Sequence, residues 1–167
     1  MYPVTHVCIA IGAAKVGERL LPQVLRPADH RFAAVGGLLP DLIDKPLVWF
    51  LVPSIPDDHF LAHTIWFPAL LLSAGLLLAA RATDIRLLLL GLGALTHLIF
   101  DPVGGDPHKL FWPLFGTSIP HANSYLFDSP ISGLGIEAIL VVALLILPHA
   151  YEPFRRRLSA FAASGRV

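Results

Sequence analysis

A run of nineteen residues, 62–80, contains no Asp, Glu, Lys or Arg. A helix of about 20 apolar residues is long enough to cross the hydrocarbon core of a bilayer. The rest of the chain is also apolar, since 55% of its 167 residues are hydrophobic and 14% are charged, against about 25% charged in soluble domains. A soluble domain of this size could not bury so much apolar surface, because small domains have a high ratio of surface to volume. The sequence therefore predicts a membrane-embedded chain.

Five apolar segments are predicted to form helices: 62–80, 87–100 and 130–150 clearly, and 4–14 and 32–55 with charged residues after or within them. The predicted fold is an all-α, polytopic membrane bundle of about five helices, with a long ordered loop between the fourth and the fifth. We expect the second helix to break at Gly36, Gly37 and Pro40, since freed backbone there could line a polar cavity. Residues 1–150 are predicted to form the membrane-embedded domain, and 151–167 a basic cytoplasmic tail.

Basic residues cluster in alternate predicted loops. They are Lys15, Arg19, Arg26 and Arg31 in the first, Arg81 and Arg86 in the third, and Arg155, Arg156 and Arg157 after the last helix. Short cytoplasmic loops carry an excess of Lys and Arg. We therefore expect a multi-pass protein of the bacterial inner membrane, with these loops in the cytoplasm and residues 101–130 on the other side.

Charge and cysteine content exclude two classes of protein. The 12 basic and 12 acidic residues cancel, so no basic surface for nucleic acid is expected. The single cysteine, Cys8, excludes an intrachain disulfide framework and a paired-cysteine metal or redox site.

Three pairs of ionisable residues lie at helical spacing within or beside the apolar segments. They are Asp41 and Asp44 (i, i+3), His59 and His63 (i, i+4), and His97 and Asp101 (i, i+4). Residues three or four apart share a helix face, and an ionisable residue at membrane depth is a functional candidate by default. Imidazole and carboxylate groups are ligands of zinc, iron and manganese. We therefore predict a site for one to three divalent ions, with Zn²⁺ as the expected metal. The predicted ligands are Asp41, Asp44, His63, His97 and Asp101 from these pairs, and His6, which lies near the start of the first predicted helix and so toward the same side of the membrane. Whether His59 is a ligand stays open.

Other roles stay open for several of these side chains. His59 and His63 could lie at the membrane interface, Asp41 could cap a helix, and Asp44 could face water. Glu137 is the candidate catalytic residue, as a base beside the metal, or else a protonated residue that packs in the bundle. Only a structure can separate these alternatives, because each is compatible with the spacing.

The candidate ligands lie in short strings that occur in a fixed order along the chain. These strings are TH (5–6), GLLPDLID (37–44), AHT (62–64), LTHLIFD (95–101) and LFWP (110–113). The order resembles the YdjM-like family, described as LexA-binding, inner-membrane-associated metal-dependent hydrolases, over roughly residues 5–140. The resemblance implies metal ligands at His6, Asp41, His63, His97 and Asp101. Asp44 matches loosely, since the family has DxD where this chain has DxxD, and Asp58 or His59 stands near a further family histidine.

The order of His, Asp, His and then HxxxD is also similar to the zinc-dependent phospholipase C and P1 nuclease group. Those proteins are all-helical phosphodiesterases with clustered zinc ions. The two resemblances together imply a membrane-bound metal-dependent hydrolase that cleaves phosphoester bonds of a lipid or another amphiphilic substrate. Its partners would then be the bilayer and such a substrate. Two other classes stay open: a small ion or proton transporter, and a non-catalytic membrane protein with a structural metal.

Overall fold

Helices joined by turns form the described part of the chain, which contains no strand. The computed structural model describes residues 3–25, 28–52, 54–55, 57, 59–101, 106–117 and 152–166. Its elements are α1 (Pro3–Leu20), α2 (Pro22–Leu25), α3 (His30–Pro46), a π-helical turn (Leu47–Leu51), α4 (Trp66–Ala82), α5 (Arg86–Phe100), α6 (Pro107–Leu110) and α7 (Glu152–Ser164). The prediction of an all-α fold is confirmed for these residues.

Helix α5 lies at the centre and packs against α1, α3 and α4. Glycines bring the α3 and α5 backbones into direct contact. A Cβ atom on Gly93 would lie 2.2 Å from the carbonyl oxygen of Ala33, and one on Gly36 would lie 2.2 Å from that of Leu90. Larger side chains at these positions would push the helices apart. The glycines therefore determine how α5 is positioned along α3, and so which residues at the end of α5 face α3.

Helix α3 continues through Gly36, Gly37 and Pro40, so the predicted break at these residues is wrong. A proline inside a helix removes one backbone hydrogen bond and crowds the preceding turn. Tertiary packing supplies most of the stability of helices in proteins, and α3 packs against both α1 and α5. The helix widens only after Pro46, where it passes into the π-helical turn.

The expectation that His59 and His63 share a helix face is also wrong. Helix α4 begins at Trp66, and both histidines precede it in an irregular loop. The carboxylate of Asp44 accepts hydrogen bonds from the backbone N–H groups of Phe60, Ala62 and His63. These N–H groups are thereby committed to a side chain on α3, which holds the segment as a loop.

None of the helices described here combines the length and the apolar character needed to cross a membrane. The predicted span at 130–150 lies outside the described residues.

Large apolar side chains nevertheless cover part of the outer surface. Phe50 and Leu51 in the π-helical turn are 78% and 74% exposed, and Leu70 on α4 is 68% exposed. Exposed side chains such as Phe50 and Leu51, which are adjacent in the chain, are available for contact with a membrane or with another protein.

The two ends of the bundle differ in charge. Helices α1 and α4 begin where α3 and α5 finish, so the predicted metal ligands collect at one end. The opposite end carries basic residues at the helix termini, among them Arg19 and Arg86. Arg31 donates from Nη1 to the carbonyl oxygen of Ala162 (3.0 Å), and the backbone N–H of His30 donates to that of Gly165 (2.7 Å). The C-terminal tail thus packs on this basic end.

Candidate metal centre

His97 lies in the last turn of α5 and is fully buried. Its Nδ1 donates to the carbonyl oxygen of Gly37 at 2.7 Å. A carbonyl oxygen can only accept a hydrogen bond, so the proton of the neutral ring is on Nδ1. The lone pair of Nε2 therefore faces the space between α3, α5 and the loop before α4.

His63 is held in the same way by a carboxylate. Its Nδ1 donates to Oδ2 of Asp44 at 2.8 Å, and both side chains are fully buried. A carboxylate that fixes the outer nitrogen of an imidazole is typical of metal-ligating histidines. The Nε2 atoms of His63 and His97 consequently face each other at 3.3 Å. In the neutral rings neither nitrogen carries a proton, so two lone pairs face each other, and a proton or a metal ion between them would remove the repulsion.

Two carboxylates flank these nitrogens. Nε2 of His97 lies 3.4 Å from Oδ2 of Asp101 and 3.9 Å from Oδ2 of Asp41. Nε2 of His63 lies 3.6 Å from Oδ1 of Asp41. Ligand atoms of a tetrahedral Zn²⁺, at about 2.0–2.1 Å from the ion, lie about 3.3–3.4 Å apart. The spacing within the group of Asp41, His63 and His97 is therefore close to that around a small divalent ion.

His6, in the first turns of α1, extends the cluster. Its ring stacks on that of His97, with centroids 4.1 Å apart. Among the described residues, neither Nδ1 of His6 nor Oδ1 of Asp41 has a hydrogen-bond partner, and both atoms are buried. Burying a polar atom without a hydrogen-bond partner is costly. Nζ of Lys45 lies 3.6 Å from Oδ1 of Asp41, and a cation bound by His6, His97 and Asp101 would offset the cost at His6.

Within the described residues, three groups of side chains bring their ligand atoms within 4.8 Å of one another. They are His6, His97 and Asp101; Asp41, His63 and His97; and His59, His63 and Asp101. The structure thus brings together five of the six predicted ligands and adds His59. Clusters that could hold a metal ion are therefore present, as the sequence predicted.

Two predicted site residues have other positions. Asp44 belongs to none of the three groups, and its oxygens accept hydrogen bonds from the loop backbone and from His63. Glu137, the candidate catalytic residue, lies outside the described residues, and its role stays a prediction.

A buried ion pair beside the cluster has no counterpart in the sequence-based predictions. Asp57 and Lys109 are 3% and 4% exposed, and Nζ of Lys109 donates to Oδ2 of Asp57. Oδ1 of Asp57 accepts from the backbone N–H and from Nδ1 of His59, each at 3.0 Å. Burial by itself raises the pKa of Asp57, but the hydrogen bonds from His59 and Lys109 outweigh it and hold that pKa well below its usual range. In the sequence, only the two consecutive aspartates before His59, Asp57 and Asp58, indicate that a charged contact could form here.

These features define an all-helical protein with a buried histidine and aspartate cluster that could hold a divalent metal. The chain belongs to the family described as YdjM inner membrane protein, whose sequence model matches residues 1–161. This membership confirms the family resemblance and indicates a membrane location. No curated protein and no solved structure shows a significant match to the chain.

Proposed function

We propose that the protein is a membrane-bound, metal-dependent hydrolase of phosphoester bonds. The observation that carries the proposal is the pair of imidazole Nε2 lone pairs 3.3 Å apart. Asp41 and Asp101 lie within 4 Å of them. A bound divalent ion, with zinc as the expected metal, would supply Lewis acidity that activates water and neutralises charge on a phosphoester.

The chain's own residues have separate tasks in this proposal. Asp41, His63 and His97 bind one ion, and Asp101 belongs to the two neighbouring ligand groups. Gly37, through its carbonyl oxygen, and Asp44, through its carboxylate, fix the tautomer and orientation of the two imidazoles. Such outer partners commonly contribute a 10- to 100-fold factor to metal affinity or activity. The ligand geometry is therefore set before an ion arrives.

The size of the ligand groups favours catalysis over a purely structural metal. A structural zinc is closed by four protein ligands, whereas a catalytic site keeps a position for water or substrate. Asp41, His63 and His97 form a group of three, which leaves the fourth position of a tetrahedral ion to water or substrate. The Asp41 side chain is 12% exposed, so the site is open to the outside there. A non-catalytic structural metal is the alternative that a hydrolysis assay tests.

The substrate we propose is amphiphilic, such as a phospholipid. Exposed Phe50, Leu51 and Leu70 favour contact with lipid. We further propose that the chain crosses the inner membrane several times, with the metal centre toward the non-cytoplasmic face. The basic residues at the opposite end of the bundle favour this orientation. Apolar segments shorter than the hydrocarbon core can be accommodated by local thinning of the bilayer.

The test is hydrolysis of a phospholipid in detergent micelles by purified protein. We expect phosphoester cleavage by the metal-loaded protein, loss of activity with a chelator, and recovery when Zn²⁺ is restored. His97→Ala should be inactive. The matched control is His108→Ala, which removes an exposed histidine of α6 outside the cluster. A protein that binds metal tightly and cleaves no phosphoester would favour the structural role instead.

A further inference from the structure

We propose that Lys109 and Asp57 are positioning residues that hold His59 at the metal centre. The inference rests on the proposed metal site and assigns to it two residues that the family resemblance does not include. It starts from the chain of contacts in which Lys109 donates to Asp57 and Asp57 accepts from His59.

The contacts around Asp57 divide its two oxygens between two tasks. Oδ2 accepts from Nζ of Lys109, while Oδ1 accepts from the backbone N–H and from Nδ1 of His59. The backbone contact fixes the position of the main chain at His59, and the Nδ1 contact fixes the orientation of its ring. His59, His63 and Asp101 form a candidate ligand group, and with Nδ1 engaged by Asp57, Nε2 is the nitrogen of His59 left to bind a metal. Asp57 therefore acts on His59 as Asp44 acts on His63.

Lys109 completes the arrangement from a distant part of the chain. It lies on α6, and its burial places a positive charge beside Asp57. Replacing a buried ion pair by apolar residues is often neutral or stabilising, whereas removing one partner leaves an uncompensated charge. A buried ion pair thus contributes little net stability, but it constrains where its two side chains lie. Here it anchors the loop that carries His59 to α6.

A further contact joins the same two segments. The backbone N–H of Ile65 donates to the carbonyl oxygen of Leu110 at 2.8 Å, and the Phe60 and Trp112 rings lie 5.1 Å apart. These contacts hold the loop near α6 without Lys109. Removing the lysine should therefore loosen His59 while the loop stays attached.

The test is a comparison of metal affinity in two backgrounds, with Zn²⁺ affinity measured by competition with a chelator. Lys109→Met should weaken Zn²⁺ binding by about 10- to 100-fold, the usual effect of losing an outer partner. In a His59→Ala background the same substitution should change the affinity by no more than about twofold, because residues that act through one another are not additive. A residue that served only the fold would weaken binding equally in both backgrounds.

A spectroscopic measurement tests the same point. The visible absorption spectrum of Co²⁺-loaded protein depends on the ligand set, so the spectra of Lys109→Met and His59→Ala should resemble each other and differ from that of the wild type. If Lys109→Met does not fold, Lys109→Arg takes its place. The planar guanidinium of arginine keeps the positive charge but cannot reproduce the contact that the compact ammonium group of Lys109 makes with Asp57. We then expect a smaller loss, again confined to the background that retains His59.

The outcomes separate this inference from the proposed function. A wild-type protein that binds no divalent metal contradicts both. A wild-type protein that binds metal, with equal losses for the Lys109 variant in the two backgrounds or with no loss in either, overturns only the positioning role of Lys109 and Asp57.

Discussion

Removal of the Asp44 carboxylate tests whether this residue positions His63 and its loop or binds the metal itself. In Asp44→Ala, four donors lose their acceptor: the part-buried backbone N–H group of Phe60, and the buried N–H groups of Ala62 and His63 with Nδ1 of His63. An unsatisfied buried donor costs about 1–3 kcal/mol. At about 1 kcal/mol each, the metal-free protein should lose about 4 kcal/mol of stability. For a chain of this size that corresponds to a fall in Tm of roughly 8–16 °C.

The matched control is Asp41→Ala, which removes the neighbouring carboxylate. Oδ1 of Asp41 accepts no hydrogen bond from the described residues, and its Lys45 neighbour lies 3.6 Å away. We expect a change of no more than about 1 kcal/mol in the metal-free protein, but a large loss of metal affinity. The assay is thermal unfolding of chelator-treated protein in detergent, followed by circular dichroism. Equal destabilisation by the two substitutions would refute the division of roles between Asp44 and Asp41.

Two other predictions concern packing and orientation. Gly93→Ala should destabilise the protein by about 1–3 kcal/mol in the same unfolding assay, because the added Cβ would lie 2.2 Å from the carbonyl oxygen of Ala33; an unchanged Tm would contradict the close contact. In a Cys8→Ser background, single cysteines at Phe115 and Ser164 should react with an impermeant thiol reagent from opposite sides of the membrane. Reaction of both from one side would exclude the proposed orientation.

Helical spacing predicted correctly which side chains of one helix lie side by side, while their role as metal ligands stays a prediction. His97 and Asp101 are four residues apart near the end of α5, and their side chains meet at 3.4 Å because residues i and i+4 share a face. Asp41 and Asp44 also share a face, and both reach His63. They contact different nitrogens of its ring, however, Asp41 facing Nε2 and Asp44 bonding Nδ1. Spacing alone cannot distinguish these two roles.

The rest of the site depends on contacts between distant parts of the chain. The loop of His59 and His63 takes its shape from Asp44, 16 to 19 residues earlier, which local helical periodicity cannot reveal. Lys109 reaches Asp57 across 52 residues, and nothing in the sequence around Lys109 indicates a buried partner. Within the described residues, the apolar segments predicted helices but not where α4 begins, since hydrophobic residues extend into the loop before it.

The metal content of purified protein tests the central claim most directly. Wild-type protein, stripped with a chelator and reloaded with Zn²⁺, should retain at least one equivalent after removal of free metal. His97→Ala should retain little, because the ring supplies a central donor, and His108→Ala should match the wild type. Wild-type protein that retains no divalent metal, or equal retention by His97→Ala and the wild type, would contradict the assignment of the buried cluster as a metal centre.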